Sequence, residues 1–314
     1  MRRVVVLDTN VYRESTFDEL LGLETRRRVT PYADPFVILE LLNHVVNPHD
    51  DSFRVCRRAL WRVFTRCIAP SPGGRAGILK DSEDQIALLI TGKRLPGHDE
   101  MTQRLCQLCQ DVAETPLDQP LPFGPKDVRW IAQHVEQIEE WWINLGRDRL
   151  AHADNLLRQL EPNERQAARL AGMRAVESSE AFRNRLAEEI IRGACRDVGV
   201  TPPEPLPPKM VAEVRKRLAV GIEFYVRATR KVMFDGLNMA LPKNRNLIWD
   251  HRISYCIGQR IGGAPVWFVT KDDEFYQAAE PVGHGARVRS VDQYLAWLRG
   301  RKRGLKRARE ARGS

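Results

Sequence analysis

The sequence lacks any apolar run approaching the roughly 18 to 20 residues that a membrane-spanning helix requires. Its six cysteines are scattered among helix-like segments and lack the regular spacing of small disulfide-stabilised secreted proteins. No internal repeat is found. These absences predict a folded protein with reduced thiols and no membrane partner, for which a cytoplasmic location is the default.

The net charge of +9 is concentrated at one end of the chain. Between Arg299 and Ser314, eight basic residues stand against one acid, Glu310, so that seven of the nine net positive charges lie there. We predict a basic, disordered tail over residues 299–314. Two roles for it stay open: electrostatic binding of nucleic acid, or a solvated end without a partner. The rest of the chain is nearly neutral.

The start and the end of the chain both show strand and helix signals. An apolar strand ends at Leu7, a helical stretch covers about residues 11–28, and Asp34 and Pro35 are typical of a helix start. Strand signals return over residues 264–270 and 286–291, followed by a helical stretch over residues 292–298.

The middle of the chain reads as almost wholly helical, interrupted by two proline-rich joints at residues 115–125 and 201–208. The fold class expected is therefore α/β, a parallel sheet flanked by helices, with an all-α insertion. We expect three parts: a discontinuous domain over residues 1–100 and 233–298, a helical insertion over residues 101–232, and the basic tail.

Two acids lie at or just beyond the ends of apolar strands. Asp8 ends the run Val-Val-Val-Leu-Asp, and Asp272 lies two residues beyond the strand that ends at Thr270. In parallel sheets, ligands and chemistry collect at the carboxyl ends of strands, so these two carboxylates meet if their strands are neighbours.

Two further acids lie in helical segments. Glu40 is embedded in the apolar stretch Val-Ile-Leu-Glu-Leu-Leu, where an isolated carboxylate is costly unless it is paired or bound to metal. Asp250 is expected to open a late helix, a position at which Asp is also an ordinary cap. Several carboxylates around one point favour a hard cation, Mg²⁺ or Mn²⁺, and with it phosphodiester hydrolysis.

In order and placement, these stretches resemble those of the PIN-domain ribonucleases, a metal-dependent family that includes the VapC-type toxins. The matching segments are Leu7-Asp8-Thr9-Asn10 after a strand, Glu40 in a helix, Asp250 near a helix start, and the run Val269 to Phe275 after the next strand. The resemblance covers about the first 48 and the last 65 to 70 residues. The long helical middle departs from the compact toxins of the family.

The resemblance implies that Asp8, Glu40, Asp250 and Asp272 bind Mg²⁺ or Mn²⁺ as the catalytic centre of an endoribonuclease. It also implies that Asn10 and Thr270 are polar supports and that Glu274 is a secondary acid. A role as a toxin or in defence is expected, with RNA as substrate. DNA as substrate, an inhibitor or antitoxin protein, and a homodimer stay open.

Other interpretations of these residues are available. Asp81, Glu83 and Asp84 rival Asp250 as the source of a ligand, although a helix cap is the plainer interpretation of them. The fold could instead serve as a nucleic-acid-binding or interaction module with a vestigial site. A haloacid-type phosphatase also begins with an Asp after a strand, but it normally has a second Asp where this chain has Asn10.

Further polar residues are weaker candidates. His251 is considered as a phosphate contact because it adjoins Asp250. The runs Arg26-Arg27-Arg28 and Arg57-Arg58 are considered as further contacts. The pair Cys106 and Cys109 has no second half for a zinc site, so we interpret these cysteines as structural.

Overall fold

The computed structural model describes residues 3–27, 29–69, 77–239, 241 and 244–300. The predicted basic tail therefore lies outside the described residues, apart from Arg299 and Gly300. The chain is mixed α/β, mostly helical, with one small sheet of five strands. It divides into two compact units. The sheet unit comprises Met1–Asp81, Gly97–Val128 and Cys256–Ser314, and the helical unit comprises Ser82–Pro96 and Arg129–Tyr255.

The sheet unit contains all five strands: β1 (Arg3–Leu7), β2 (Val29–Tyr32), β3 (Arg260–Ile261), β4 (Ala264–Thr270) and β5 (Val288–Ser290). Their order is β2-β1-β4-β3, and β5 also pairs with β4. All pairings are parallel except that of β3 with β4. The predicted strands at the start and near the end of the chain are confirmed. The short strands β2 and β3 were not predicted.

Strands β1 and β4 are direct parallel neighbours, and both are buried at their carboxyl ends. Leu7 pairs with Val269 in the register, and the Asp8 amide donates to the Val269 carbonyl oxygen at 2.9 Å. This burial explains the continuous apolar runs, because a strand covered on both faces has no solvent-facing alternation. The condition set for Asp8 and Asp272 to meet, that their strands be neighbours, is fulfilled.

The helices of the sheet unit are α1 (Thr9–Arg13), α2 (Phe17–Arg26), α3 (Pro35–Val45), α4 (Phe53–Val63), α6 (His98–Glu114), α13 (Asp273–Ala279) and α14 (Val291–Leu298), with α4 continuing into a π-helical turn, Phe64–Ile68. The prediction of one helix over residues 11–28 is wrong. The backbone of Glu14 is extended and ends α1, so a second helix starts at Phe17.

The start of α3 matches its prediction. The Asp34 side chain accepts a hydrogen bond from the Phe36 amide at 2.9 Å, and Pro35 occupies the first turn. Apolar side chains cover most of this helix, so α3 is held in the core and carries Glu40 with it.

A buried ion pair fixes the π-helical turn to the rest of the sheet unit. Arg66 on this turn donates to Glu24 of α2 through Nε at 2.8 Å and Nη2 at 2.9 Å. The Tyr294 hydroxyl of α14 donates to the same carboxylate at 2.6 Å. Glu24 and Arg66 are almost wholly buried, and the charge of each compensates that of the other.

The helical unit contains α5 (Ser82–Thr91), most of α7 (Pro125–Arg158), α8 (Pro162–Ser178), α9 (Glu180–Asp197), α10 (Pro208–Arg217), α11 (Ala219–Met233) and α12 (Asn246–Ser254). The helical prediction for the middle of the chain is confirmed, since none of its described residues is in a strand. Gly221 on α11 lets the ring of Tyr255, which ends α12, pack directly against the helix. A Cβ at this position would lie only 2.0 Å from that ring.

The prediction that Asp250 opens a helix is wrong, because α12 begins four residues earlier at Asn246. Buried Ile248 and Trp249 are already part of this helix and anchor its first turn. Asp250 is therefore in mid-helix, where it has no capping role.

The two units divide the chain at other residues than the predicted domains do. Helix α6 packs against α3 and α4 in the sheet unit, although it lies within the expected insertion. Helix α5 packs against α9 and belongs to the helical unit. Among the described helices, none combines the length and the apolar character needed to cross a membrane.

Candidate metal centre

Asp8 is placed by the end of β1 and the start of α1. Its side chain caps α1 by accepting a hydrogen bond from the Thr9 amide at 2.7 Å. Its other oxygen accepts a hydrogen bond from the Thr270 hydroxyl at 2.7 Å. The residue is only 1% exposed, so this carboxylate is held rigidly in the interior.

Thr270 links the two acids at the ends of β1 and β4. While its hydroxyl donates to Asp8, it accepts a hydrogen bond from the Asp272 amide at 2.9 Å. Asp272 in turn caps α13 by accepting from the Glu274 amide at 2.8 Å. The expectation that Thr270 is a polar support agrees with these contacts, because one hydroxyl orients both strand ends.

Glu40 reaches the same region from α3. Its Oε2 accepts a hydrogen bond from the Thr9 hydroxyl at 2.5 Å, and its Oε1 lies 3.8 Å from Nη2 of Arg13. Thr9 therefore contacts both Asp8, through its amide, and Glu40, through its hydroxyl. Thr9 thus links Asp8 to Glu40 as Thr270 links Asp8 to Asp272, and we call these three acids the acid cluster.

The surroundings of Asp8 and Glu40 are unfavourable to negative charge. The pKa of Asp8 is raised to about 6, because burial and the charge of Asp272 outweigh the hydrogen bonds from Thr270 and Thr9 and the charge of Arg13. Burial raises the pKa of Glu40 to about 7, opposed by Thr9 and Arg13 and assisted by the charge of Asp8. Arg13 thus compensates the charge of Asp8 and Glu40 only in part, and a bound cation would supply more positive charge.

Three residues around the acid cluster concern its support: Thr9, which the sequence analysis missed, and Asn10 and Glu274, whose supporting roles stay predictions. Thr9 was not predicted as a support, although it adjoins Asp8 in the sequence and is 2% exposed. Asn10 is exposed, and its side chain has no hydrogen bond to the described residues. Glu274 is partly exposed, and its amide donates a hydrogen bond to Asp272.

Asp250 and its rivals lie in or at the edge of the helical unit. Asp250 is partly exposed on α12, and its part in the site stays a prediction. Glu83 forms an ion pair with Arg252, which lowers the pKa of Glu83 although burial alone raises it. Asp84 accepts hydrogen bonds from Arg94 and from the Leu95 amide. Structural contacts therefore account for Glu83 and Asp84. The buried Asp81 closes the first segment of the sheet unit.

Two expected phosphate contacts are wrong. His251 is 3% exposed and packs among aromatic rings, with centroids 4.8 Å from those of Trp142 and Tyr255. Arg57 is 3% exposed and donates to backbone carbonyls, including that of Gln119 at 2.8 Å. Both side chains are used inside the fold, where a substrate has no access. All six cysteines carry free thiols, as expected.

The donor set fits a hard cation in its chemistry. The acid cluster offers only carboxylate oxygens, which suit Mg²⁺ and Mn²⁺, and two of its members are buried against their electrostatic preference. Within the described ranges, no three His, Cys, Asp or Glu side chains already stand at metal-ligand distances. Comparisons of the chain with protein-family models, with curated proteins and with solved structures found no match.

Proposed function

We propose that this chain is a divalent-metal-dependent endoribonuclease with a PIN-like sheet unit. The observation that carries the proposal is the acid cluster: Thr9 links Asp8 to Glu40, Thr270 links Asp8 to Asp272, and burial opposes the ionisation of Asp8 and Glu40. Asp8 also caps α1, but burying Asp8 and Glu40 with little positive charge nearby costs folding free energy. A cation that binds the folded state offsets this cost.

Asp8, Glu40 and Asp272, all in the sheet unit, would hold Mg²⁺ or Mn²⁺. Ligation by Asp250 stays an expectation from the resemblance alone. A bound ion of this kind supplies phosphate polarisation and a more acidic water for hydrolysis. Thr9 and Thr270 orient the carboxylates by donating one hydroxyl each, to Glu40 and to Asp8. Fixed ligands of this kind do not have to reorganise when the ion binds.

RNA as substrate rests on the resemblance and on the basic end of the sequence. DNA stays open, as do an inhibitor or antitoxin protein, a homodimer, and a role as a toxin or in defence. The proposed activity needs only the acid cluster and a phosphodiester, so it is testable without any of these partners.

The test compares Asp8→Asn with Asp51→Asn in Mn²⁺ or Mg²⁺. Asp51 is an exposed acid of the same unit, so its replacement removes the same charge outside the cluster. We expect Asp8→Asn to lower RNA cleavage by at least about 100-fold, because even outer partners of a metal site cost roughly 10- to 100-fold. Asp51→Asn should cleave like the wild type.

Binding of Mn²⁺, followed by titration calorimetry on the full chain, provides a second measurement. Asp8→Asn should bind the ion much more weakly than wild type, while circular dichroism shows both proteins folded. If the wild type binds no Mn²⁺ and cleaves no RNA, the nuclease proposal fails. RNA binding without cleavage would then favour the interaction module with a vestigial site.

A further inference from the structure

Arg13 is the cation nearest to Glu40 in the described part of the sheet unit. It ends α1, five residues after Asp8, and its side chain is 23% exposed. The distance of 3.8 Å between its Nη2 and Glu40 Oε1 is too long for a hydrogen bond. Its charge nonetheless opposes the effect of burial on the pKa of Asp8, Glu40 and Asp50. The guanidinium thus lies among three carboxylates and forms a hydrogen-bonded pair with none of them.

The hydrogen-bond donors of Arg13 have fewer strong acceptors than those of the arginines that stabilise the fold. Its Nε and Nη2 are buried and have no oxygen or nitrogen acceptor. The guanidinium does interact with the Cys56 thiol, a weak acceptor, and through its charge and a hydrogen bond it opposes the effect of burial on the pKa of that thiol. Arg62 on α4 also has a buried Nε without an acceptor, but its Nη1 donates to the carbonyl oxygens of Tyr12 and Glu14. Arg66 donates two nitrogens to Glu24. A buried donor without an acceptor costs about 1 to 3 kcal/mol, more when it is charged.

The missing acceptor is best supplied from outside the chain. The planar guanidinium matches two oxygens of one phosphate group, which is why arginine recurs at phosphate sites. Glu40 does not fill this role, because its Oε2 already accepts from Thr9 and its Oε1 stands off at 3.8 Å. Partial exposure leaves Arg13 a way to reach an oxygen at the edge of the acid cluster.

We propose that Arg13 is a substrate-binding residue whose guanidinium donates to the non-bridging oxygens of a nucleic-acid phosphodiester beside the acid cluster. The proposal rests on the nuclease function above and assigns one contact to it. The phosphate would give the guanidinium the charged oxygen acceptor that it lacks in the fold. Arg13 would also offset the repulsion between the phosphate and the neighbouring carboxylates.

The test is the affinity of the full chain for a short fluorescent single-stranded RNA, measured by anisotropy in EDTA so that no metal-dependent cleavage consumes the probe. Arg13→Gln is compared with Arg54→Gln, which removes an exposed arginine of α4 and controls for the loss of one positive charge. We expect Arg13→Gln to weaken binding about 10- to 100-fold, as for a lost charge-assisted hydrogen bond. Arg54→Gln should change the affinity by no more than about threefold.

Arg13→Lys is the conservative variant in case Arg13→Gln folds poorly. It keeps the charge but loses the planar fork, so its affinity should lie between those of the wild type and Arg13→Gln. Mn²⁺ binding is measured on all variants, and substrate contact predicts that Arg13→Gln keeps the wild-type Mn²⁺ affinity.

Equal RNA affinities of Arg13→Gln and Arg54→Gln would overturn the inference. So would a change in Mn²⁺ affinity alone, which would make Arg13 a counter-ion of Glu40. If the wild type binds RNA but does not cleave it with Mn²⁺, the nuclease proposal fails while the ratio of RNA affinities still decides the role of Arg13. A wild type that binds no RNA contradicts both.

Discussion

Glu24 and Glu40 are both buried in the sheet unit, but their surroundings differ. Glu24 accepts two hydrogen bonds from Arg66 and a third from the Tyr294 hydroxyl. Glu40 accepts one hydrogen bond from Thr9, and its nearest cation, on Arg13, stands 3.8 Å away. Burial and residue type are alike in the two cases, so the contrast lies in the partners.

This contrast separates a carboxylate used for folding from one held for a ligand. The charge of Glu24 is matched within the chain, and three secondary-structure elements depend on it. The charge of Glu40 is left largely unmatched beside two more carboxylates, and burial raises its pKa to about 7. Uncompensated charge inside a fold is expected at functional sites, where stability is given up for binding.

The largest expected effect is the difference in the free energy of unfolding between the same substitution at Glu24 and at Glu40. Glu24→Gln leaves Arg66 as a buried cation without its partner, so we expect a loss of about 3 to 5 kcal/mol in the free energy of unfolding. Glu40→Gln removes an unfavourable charge, so the metal-free protein should keep or gain stability at pH 8. Urea unfolding in EDTA measures both variants. Equal destabilisation by the two substitutions would show that Glu40 also serves the fold.

The next effect is the pH dependence of metal-free stability. The pKa of Asp8 and of Glu40 is higher in the folded than in the unfolded protein, so the folded state holds more protons between about pH 4 and 7. Stability from these groups is therefore present at low pH and lost as the pH rises through that window. The loss is on the order of 3 kcal/mol per group at most, from 1.36 kcal/mol per pKa unit.

The measurement is the free energy of unfolding from pH 4 to 8 in EDTA, for the wild type and Glu40→Gln. The variant should lose less stability across this window, because one of the two titrating groups is gone. Parallel curves for the two proteins would mean that the Glu40 carboxylate is not held against its ionisation. Added Mn²⁺ should stabilise the wild type most at the upper end of the range.

The smallest effect is a change in Mn²⁺ affinity when the Thr270 hydroxyl, which joins Asp8 and Asp272, is removed. Thr270→Val keeps the side-chain shape but removes the donor to Asp8 and the acceptor for the Asp272 amide. We expect Mn²⁺ affinity to fall about 10- to 100-fold, as for other outer partners of metal ligands. Thr25→Val, which loses an exposed hydroxyl bonded to the Leu21 carbonyl oxygen, is the matched control. An unchanged affinity in Thr270→Val would remove this hydroxyl from the site.

Much of the fold was predictable because its signals are local. The apolar run before Asp8 is a strand buried at its carboxyl end, and Asp34 with Pro35 marks the start of α3. The failures arose where a single residue decides. The extended backbone of Glu14 divides one predicted helix into two.

The site was predictable in its acids and less so in their supports. Asp8 and Asp272 could be placed because strand ends mark them, and Glu40 because a charge inside an apolar stretch needs a reason. Thr9 was missed because a hydroxyl beside an acid is common, and its second contact, to Glu40, lies 31 residues away. Arg13 had no signal in the sequence, since a lone arginine at a helix end is ordinary.

The sequence alone determined that apolar strands would end in carboxylates and that a long helical segment would separate the two halves of the sheet, because periodicity and strand ends are properties of neighbouring residues. Only the tertiary structure decided which charges are matched. Arg66 forms a close ion pair with Glu24, whereas Arg13 lies 3.8 Å from Glu40. This difference depends on packing between segments that are remote in the chain. The chemistry of the site follows from this unequal pairing, because a carboxylate that already has its cation has little to offer a metal ion.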